Sequence, residues 1–144
     1  MIAFNRPQDG HSIAAQAGVM FNPVADTCIA RLYDDARLRG GVIYNGYTGS
    51  SINMHVASFE PTWICIDLIW VSFHYPFIQM KCRKVFGQVR ANNRAALEFD
   101  RKLGFKEETR ISDVFPDGDL IILSMRREDC RWLKLRPRNL KEPE

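Results

Sequence analysis

The sequence is poor in the residue patterns that hold metals or form disulfide frameworks. It contains only four cysteines and three histidines in 144 residues. No two cysteines form a C-x-x-C pair, and no histidine lies at a zinc-ligand spacing from any of them. We therefore expect no metal site, and we expect the cysteines to be reduced thiols, as is typical of a cytosolic protein.

The sequence also has no large excess of one charge and no sign of a secretory signal. The net charge is only +3, and basic residues concentrate in 126–141, which is typical of a solvated tail rather than of a nucleic-acid site. Residues 1–10 are polar and lack the apolar stretch of a secretory leader. We expect residues 1–10 and 134–144 to be flexible, and we expect a cytoplasmic location.

One apolar stretch, 63–80, is about long enough to span a membrane. It contains Asp67, His74 and Pro76, and a carboxylate near the centre of a spanning helix costs roughly 2.5–3.5 kcal/mol. We therefore interpret the stretch as a buried helix and expect no membrane contact. Asp67 is then either paired with Arg83 or Arg90 or a functional group with a perturbed pKa.

The remaining composition is that of one globular domain over residues 1–144. The chain is 46% hydrophobic and 26% charged, close to the average for such domains. After Pro61, large apolar residues recur at steps of three and four, which predicts a helix that Pro76 ends or kinks. The other predicted helices cover 11–20 and 94–103, and the predicted strands cover 28–33, 41–44, 52–57, 83–90, 109–115 and 120–125.

This order predicts an α/β fold with a mixed sheet. The turn formers of 45–51 and 116–119 predict antiparallel hairpins near both ends of the chain. The strands that flank the helix after Pro61 predict a right-handed β-α-β crossover between those hairpins. Asn93 is the expected N-cap of the helix over 94–103, and Gly104 is its expected left-handed end.

Residues 85–105, VFGQVRANNRAALEFDRKLGF, carry a more specific signal. This stretch resembles the second half of the signature of GNAT acetyltransferases, in which a strand leads to an Asn, a small residue follows three positions on, and a helix closes on Lys-x-Gly-Phe. The matching residues here are Asn93, Ala96, Lys102, Gly104 and Phe105. The resemblance covers roughly residues 26–133, and 127–133 is similar to the ending of small members encoded by phages and prophages.

The resemblance implies a twisted, mostly antiparallel sheet with helices on both faces. Its central parallel pair would be splayed apart to admit acetyl-coenzyme A, the implied co-substrate. The implied activity is transfer of the acetyl group by direct attack of an amine, which is a protein N-terminus, a lysine, a polyamine or an antibiotic. A homodimer is a further possibility, for which Trp132 is a candidate contact.

The resemblance also implies where the coenzyme would lie. Backbone groups of the strand at Val56, Ala57 and Ser58 would hold its arm and face the thioester oxygen. The start of the following helix, at Thr62 and Trp63, would face its diphosphate. Further implied contacts are Asn93, for which a plain N-cap is the alternative, and Lys102, for which an exposed helix lysine is the alternative.

Two residues are candidates for the catalytic base. Glu60 follows the strand directly, and a solvent-exposed capping carboxylate is its alternative role. His55 lies on the polar face of the strand, and a structural histidine is its alternative role.

The sequence departs from the family in two places. The glycine-rich diphosphate loop is absent, because residues 58–63 contain no glycine. The frequent general-acid Tyr of the family falls here on Asp100. A second hypothesis is therefore a protein of the same fold without turnover, which derives from a phage and serves as a binding or structural module.

Overall fold

A computed structural model describes residues 1–140 as seven strands and three α-helices. The helices are α1 (Pro7–Ala17), α2 (Ile66–His74) and α3 (Arg94–Leu103). A π-helical turn, Tyr75–Gln79, follows α2, and two 3₁₀ turns, Arg127–Asp129 and Arg131–Lys134, follow the last strand. The strands are β1 (Ile2–Phe4), β2 (Thr27–Leu32), β3 (Leu38–Asn45), β4 (Ser51–Ser58), β5 (Lys84–Arg90), β6 (Lys106–Phe115) and β7 (Gly118–Arg126).

All seven strands belong to one sheet, in the order β1-β2-β3-β4-β5-β7-β6. The pair β4–β5 is parallel, and its pairing comprises only Ser51 with Lys84, Ile52 with Val85 and Asn53 with Phe86. The other neighbouring pairs are antiparallel. The predicted α/β class, with a mostly antiparallel sheet and a central parallel pair, is confirmed.

Helices cover both faces of this sheet. Ile13 and Ala14 of α1 pack on one face, against Ile43 and Ala57 among others. The apolar sides of α2 and α3 pack on the other face, in a cluster that includes Phe73, Phe77, Val85, Leu97 and Leu123. Because successive side chains of a strand point to opposite faces, Met54 lies on the α2–α3 face and Ala57 on the α1 face.

The expectation of a flexible segment at residues 1–10 is wrong. The short strand β1 pairs with β2, and α1 begins at Pro7, four residues before the predicted start. Proline is favoured in the first turn of a helix, because its missing N–H is not needed there. Gly18, with φ at 74°, ends α1 in the left-handed conformation, whereas the predicted helix continued to residue 20.

The apolar helix begins later than predicted. Pro61 and Thr62 lie in a turn, and α2 starts at Ile66 with Cys65 as its N-cap, whose Sγ accepts a hydrogen bond from the N–H of Leu68 at 3.5 Å. The α-helix ends at His74, where the π-helical turn that contains Pro76 begins, so the predicted end or kink at that proline is confirmed. Within residues 1–140, no helix is both long and apolar enough to cross a bilayer.

The C-terminal segment is attached to α2 by hydrogen bonds. The carboxylate of Asp67, which is buried, accepts hydrogen bonds from the N–H groups of Arg138 at 2.6 Å and Asn139 at 3.1 Å. The partner of Asp67 is therefore this backbone and not Arg83 or Arg90. The expected flexibility of 134–144 is wrong up to residue 140, and 141–144 lie outside the described residues.

Trp132 also serves the fold of its own chain. Its indole N–H donates to the carbonyl oxygen of Leu103 at 2.7 Å, and its ring packs on the core. The aromatic residue suggested for a dimer contact is therefore used within the domain.

Replacing Asp67 by Ala tests this attachment of the C-terminal segment. Two hydrogen bonds to a charged acceptor are lost, so we expect the free energy of unfolding to fall by about 2 kcal/mol. Urea denaturation measures it. Glu98→Ala is the control, because Glu98 is exposed and pairs with Lys102 on its own helix. Equal stability of the two variants would contradict the proposed attachment.

Candidate functional site

A cleft opens where β4 and β5 separate. Beyond Asn53, β4 stays paired with β3 as far as Ser58, while β5 stays paired with β7 as far as Arg90. Since each strand follows a different neighbour, the two diverge after three paired residues. The space between them is a cavity of about 340 Å³, lined by residues from β4, β5, α1, α3 and the loop before α2.

Backbone groups of both strands point into this cleft. The N–H of Phe59 donates to the carbonyl oxygen of Arg39 on the β3 side, at 2.9 Å. Because backbone groups alternate along a strand, the N–H groups of Met54, Val56 and Ser58 point to the other side. The N–H of Met54 belongs to the last pairing with β5, at Asn53 and Phe86, whereas those of Val56 and Ser58 lie where this pairing has ended. On β5, the same alternation turns the N–H of Gln88 toward the cleft.

Most of the predicted contact residues meet in this cleft. The predicted residues among its lining are His55, Val56, Ala57, Ser58, Trp63 and Asn93. Ala57 differs from Val56 because its N–H points toward Gly41 of β3 and not into the cleft. Glu60, Thr62 and Lys102 are not among the lining residues.

Trp63 forms one wall of the cleft from the loop between β4 and α2. Its indole packs against Gly40, where a Cβ atom would lie 2.4 Å from Cε3 of the ring. Glycine at position 40 therefore makes room for the indole. The ring of Phe99 on α3 faces Trp63, with the ring centroids 5.9 Å apart.

Glu60 and Thr62 are joined in a hydrogen-bonded turn. The N–H and hydroxyl of Thr62 both donate to Glu60 Oε2, at 2.7 and 2.6 Å, and Arg39 Nε donates to Oε1 at 2.7 Å. The bonds from Thr62 and from Arg39 lower the pKa of Glu60 to about 2. A carboxylate with such a low pKa is a weak base, so this geometry favours the capping alternative for Glu60.

The turn also occupies the backbone groups of Thr62 that a ligand would otherwise bind. Its N–H is occupied by Glu60, and its carbonyl oxygen accepts from Arg31 at 2.8 Å and from Arg39 at 3.0 Å. The predicted helix start at Thr62 and Trp63 is therefore absent, and the free N–H groups of α2 begin three to four residues later.

His55 lies on the α1 face and borders the cleft. Its Nε2 is 3.2 Å from Oδ1 of Asn45. An amide oxygen only accepts, so Nε2 carries the hydrogen and Nδ1 keeps its lone pair. Burial lowers the pKa of His55, so the imidazole is neutral at physiological pH and able to accept a proton.

Asn93 and Lys102 are placed differently by α3. Asn93 borders the cleft and is also the N-cap, since its Oδ1 accepts a hydrogen bond from the N–H of Ala96 at 3.2 Å. Lys102 is exposed on the other side of α3, where its Nζ lies 3.3 Å from Glu98 Oε1. Lys102 matches its alternative, an exposed helix lysine.

Asp100 is the residue of this site that sequence reasoning did not assign. Its carboxyl group lies in the cleft, and burial raises its pKa to about 6. The spacing of seven residues between Asn93 and Asp100 was visible in the sequence. It corresponds to two helical turns and therefore places both residues on one face of α3. The burial that changes its proton affinity was not visible.

The described residues 1–140 contain no group of three or more His, Cys, Asp or Glu side chains placed to hold a metal ion. The four cysteines are free thiols.

Solved structures of acetyltransferases share this fold. A spermidine/spermine N-acetyltransferase from Vibrio cholerae, in complex with manganese ions, has a TM-score of 0.68 at 14% identity, over 88% of this chain and 91% of that chain. A dodecameric structure of spermidine N-acetyltransferase from Vibrio cholerae has a TM-score of 0.63 at 17% identity, over 72% and 66%. A probable acetyltransferase has a TM-score of 0.62 at 18% identity, over 73% and 63%.

No protein-family model matches this chain, and no curated protein sequence matches it. The structural likeness identifies the arrangement of strands and helices as the GNAT fold. At 14–18% identity the likeness establishes the fold and not the reaction.

Asp100→Asn tests the half-buried carboxyl of the cleft. Asp100 holds its proton up to about pH 6 in the folded protein, against about 3.9 when unfolded, so its stabilising contribution is lost as the pH rises through 6. We expect the variant to be more stable than wild type by about 1–2 kcal/mol at pH 7.5, and the gain to vanish near pH 4. Thermal unfolding across this pH range, with Glu98→Gln as the exposed control, measures the effect. A gain that does not depend on pH would contradict the raised pKa.

Proposed function

We propose that this protein is an N-acetyltransferase that moves the acetyl group of acetyl-coenzyme A to an amine by direct attack. The observation that carries the proposal is the cleft between β4 and β5, into which free backbone N–H groups point. The likeness to acetyltransferase structures supports it.

The residues of the cleft fit the arm of the coenzyme. An extended chain with amide groups needs hydrogen-bond partners along its length, and the N–H groups of Val56 and Ser58 supply two such donors. Trp63 and Phe99 supply apolar walls. The diphosphate would meet a poorer site, because the turn before α2 has no glycine and the N–H of Thr62 is occupied.

Acetyl transfer requires three contributions from these residues. The amine must be neutral, which for a group of pKa about 10.4 holds for only about one molecule in a thousand at pH 7.4. Nδ1 of His55 would take its proton. A backbone N–H at Val56 would donate to the thioester oxygen as negative charge develops there. The cleft would hold both reactants close together, which supplies much of the rate.

A panel of amines tests the acceptor. The similar structures from Vibrio cholerae are named for spermidine or spermine, so polyamines belong in a substrate panel beside peptide N-termini, lysine and amino-sugar antibiotics. The panel tests the acceptor separately from the coenzyme.

A binding or structural module without turnover is the second candidate. It is favoured by the glycine-free turn, in which Glu60, Thr62 and Arg39 bond to one another and leave few groups for a diphosphate. We also keep four expectations that rest on the sequence: a single domain over 1–144, a cytoplasmic location, a phage-type origin and a homodimer.

Binding of acetyl-coenzyme A to the full chain tests the proposal. At 100 times Kd, the coenzyme should stabilise the fold by about 2.7 kcal/mol, seen as a rise in melting temperature. Val56→Pro should weaken binding about tenfold, because it removes an N–H that faces the cleft without removing a bond to β3. Val56→Ala, which keeps the N–H, is the control.

Two outcomes separate the candidates. A rise in melting temperature with release of free thiol in the presence of an amine supports the enzyme. A rise without thiol release across the whole panel supports the binding module. No rise at millimolar coenzyme would refute the enzyme proposal.

A further inference from the structure

The side of α3 that faces away from the cleft borders a second groove. This groove has a volume of about 660 Å³ and lies over β6 and β7. Its charged lining residues are Arg94, Glu98, Arg101 and Lys102 of α3 and Arg110 of β6. These four cations and one carboxylate give the groove a net charge of +3, which equals the net charge of the whole chain. The other charges of the chain therefore balance, and the groove carries the positive excess.

Arg94 and Arg101 are the unpaired cations of this groove. Both side chains are exposed, and within residues 1–140 neither forms an ion pair or a side-chain hydrogen bond. They are seven residues apart on α3, which is two turns, so they leave the same face of the helix about 10.5 Å apart along its axis. A rigid helix therefore presents two free guanidinium groups at a fixed spacing.

The other two cations of the groove have weak partners. Lys102 Nζ lies 3.3 Å from Glu98 Oε1, and Arg110 Nη1 lies 3.5 Å from Asp119 Oδ2. Ion pairs of this kind at the surface contribute little, so another anion can replace the carboxylate. Glu107 faces the same side of the sheet, because it pairs with a core residue of β7, but it does not line the groove.

The floor of the groove is not available to a partner. Leu97 and Ile121, which form it together with Ala91, are only 6% and 1% exposed. The core of a protein–protein interface is apolar and poor in charge, whereas interfaces with nucleic acids are more polar and much more positively charged. None of the described residues that line the groove is aromatic, so unpaired bases would have no ring to stack on. These features favour the backbone of a duplex over an acidic protein and over a single strand.

The groove is open to a ligand longer than itself. Residues 106–114 of β6 are exposed whichever face of the sheet they lie on, so no element within residues 1–140 covers this edge. At the C-terminal end of α3, Nη2 of Arg131 donates to the carbonyl oxygen of Lys102 at 2.5 Å. This exposed guanidinium extends the basic surface beyond the last turn of the helix.

We propose that this groove binds the sugar–phosphate backbone of a nucleic-acid duplex, independently of the base sequence. Arg94 and Arg101 would each contact a phosphate, because a planar guanidinium donates two parallel hydrogen bonds to phosphate oxygens. Lys102 and Arg110 would add charge on either side. The groove lies on the opposite side of α3 from the cleft between β4 and β5, so this inference does not depend on the proposed function.

Fluorescence anisotropy of the full chain with a labelled DNA duplex of about 20 base pairs tests the proposal, at salt concentrations of about 50–200 mM. If each of the four cations neutralises one phosphate, the logarithm of the binding constant should fall with the logarithm of the salt concentration, with a slope of about −3.6. Arg94→Gln/Arg101→Gln should reduce the magnitude of this slope to about 1.8 and weaken binding on the order of 10²-fold at the lowest salt concentration.

The matched control is Arg136→Gln/Arg138→Gln, which removes the same charge from exposed side chains of the C-terminal segment. It should leave the slope unchanged. If the double variant in the groove does not fold, the single variants Arg94→Gln and Arg101→Gln decide, because each should reduce the magnitude of the slope by about 0.9.

Competition experiments identify the occupant. Displacement of the labelled duplex by poly-glutamate or by single-stranded oligothymidylate as readily as by unlabelled duplex would overturn the proposal, in favour of an acidic protein or a single strand. The proposal also fails if the duplex does not bind at the lowest salt concentration, or if the control variant loses as much affinity as the groove variant. Tighter binding of an RNA duplex of the same length would support the proposal and identify RNA as the source of the backbone.

Discussion

The limited pairing of β4 with β5 is the constraint on which the rest of this structure depends. β5 is held by β7 along its whole length and β4 by β3, and the twist of each pair carries the two strands apart after Asn53 and Phe86. The separation leaves backbone donors without partners in the middle of a sheet. The cleft, its apolar walls and the position of Asp100 all follow from that separation.

Features that depend on short stretches of sequence could be predicted. The helix α3 has its cap at Asn93 and its left-handed end at Gly104, and both signals lie within two residues of the helix. The hairpin of β6 and β7 has the turn residues Pro116 and Asp117, followed by Gly118 at the start of β7. These local signals, together with the resemblance around them, were enough to predict the fold class.

Features that depend on distant contacts could not be predicted. The start of α2 is delayed because Glu60 bonds to Arg39, 21 residues away, and holds the preceding turn. The partner of Asp67 lies 71 residues further along the chain. In the site, the prediction of Val56 rests on the resemblance to acetyltransferases and that of His55 on its place on the polar face of a strand. The raised pKa of Asp100 arises from burial, which no spacing of residues reveals.

The donors of the cleft belong to the main chain, and this has a consequence for how such a protein can change. Apart from proline, every amino acid supplies the same N–H at positions 56 and 58. Side chains along β4 can therefore be exchanged over evolutionary time without removing a single donor. A recognition surface of this kind persists through sequence drift as long as the strand keeps its course.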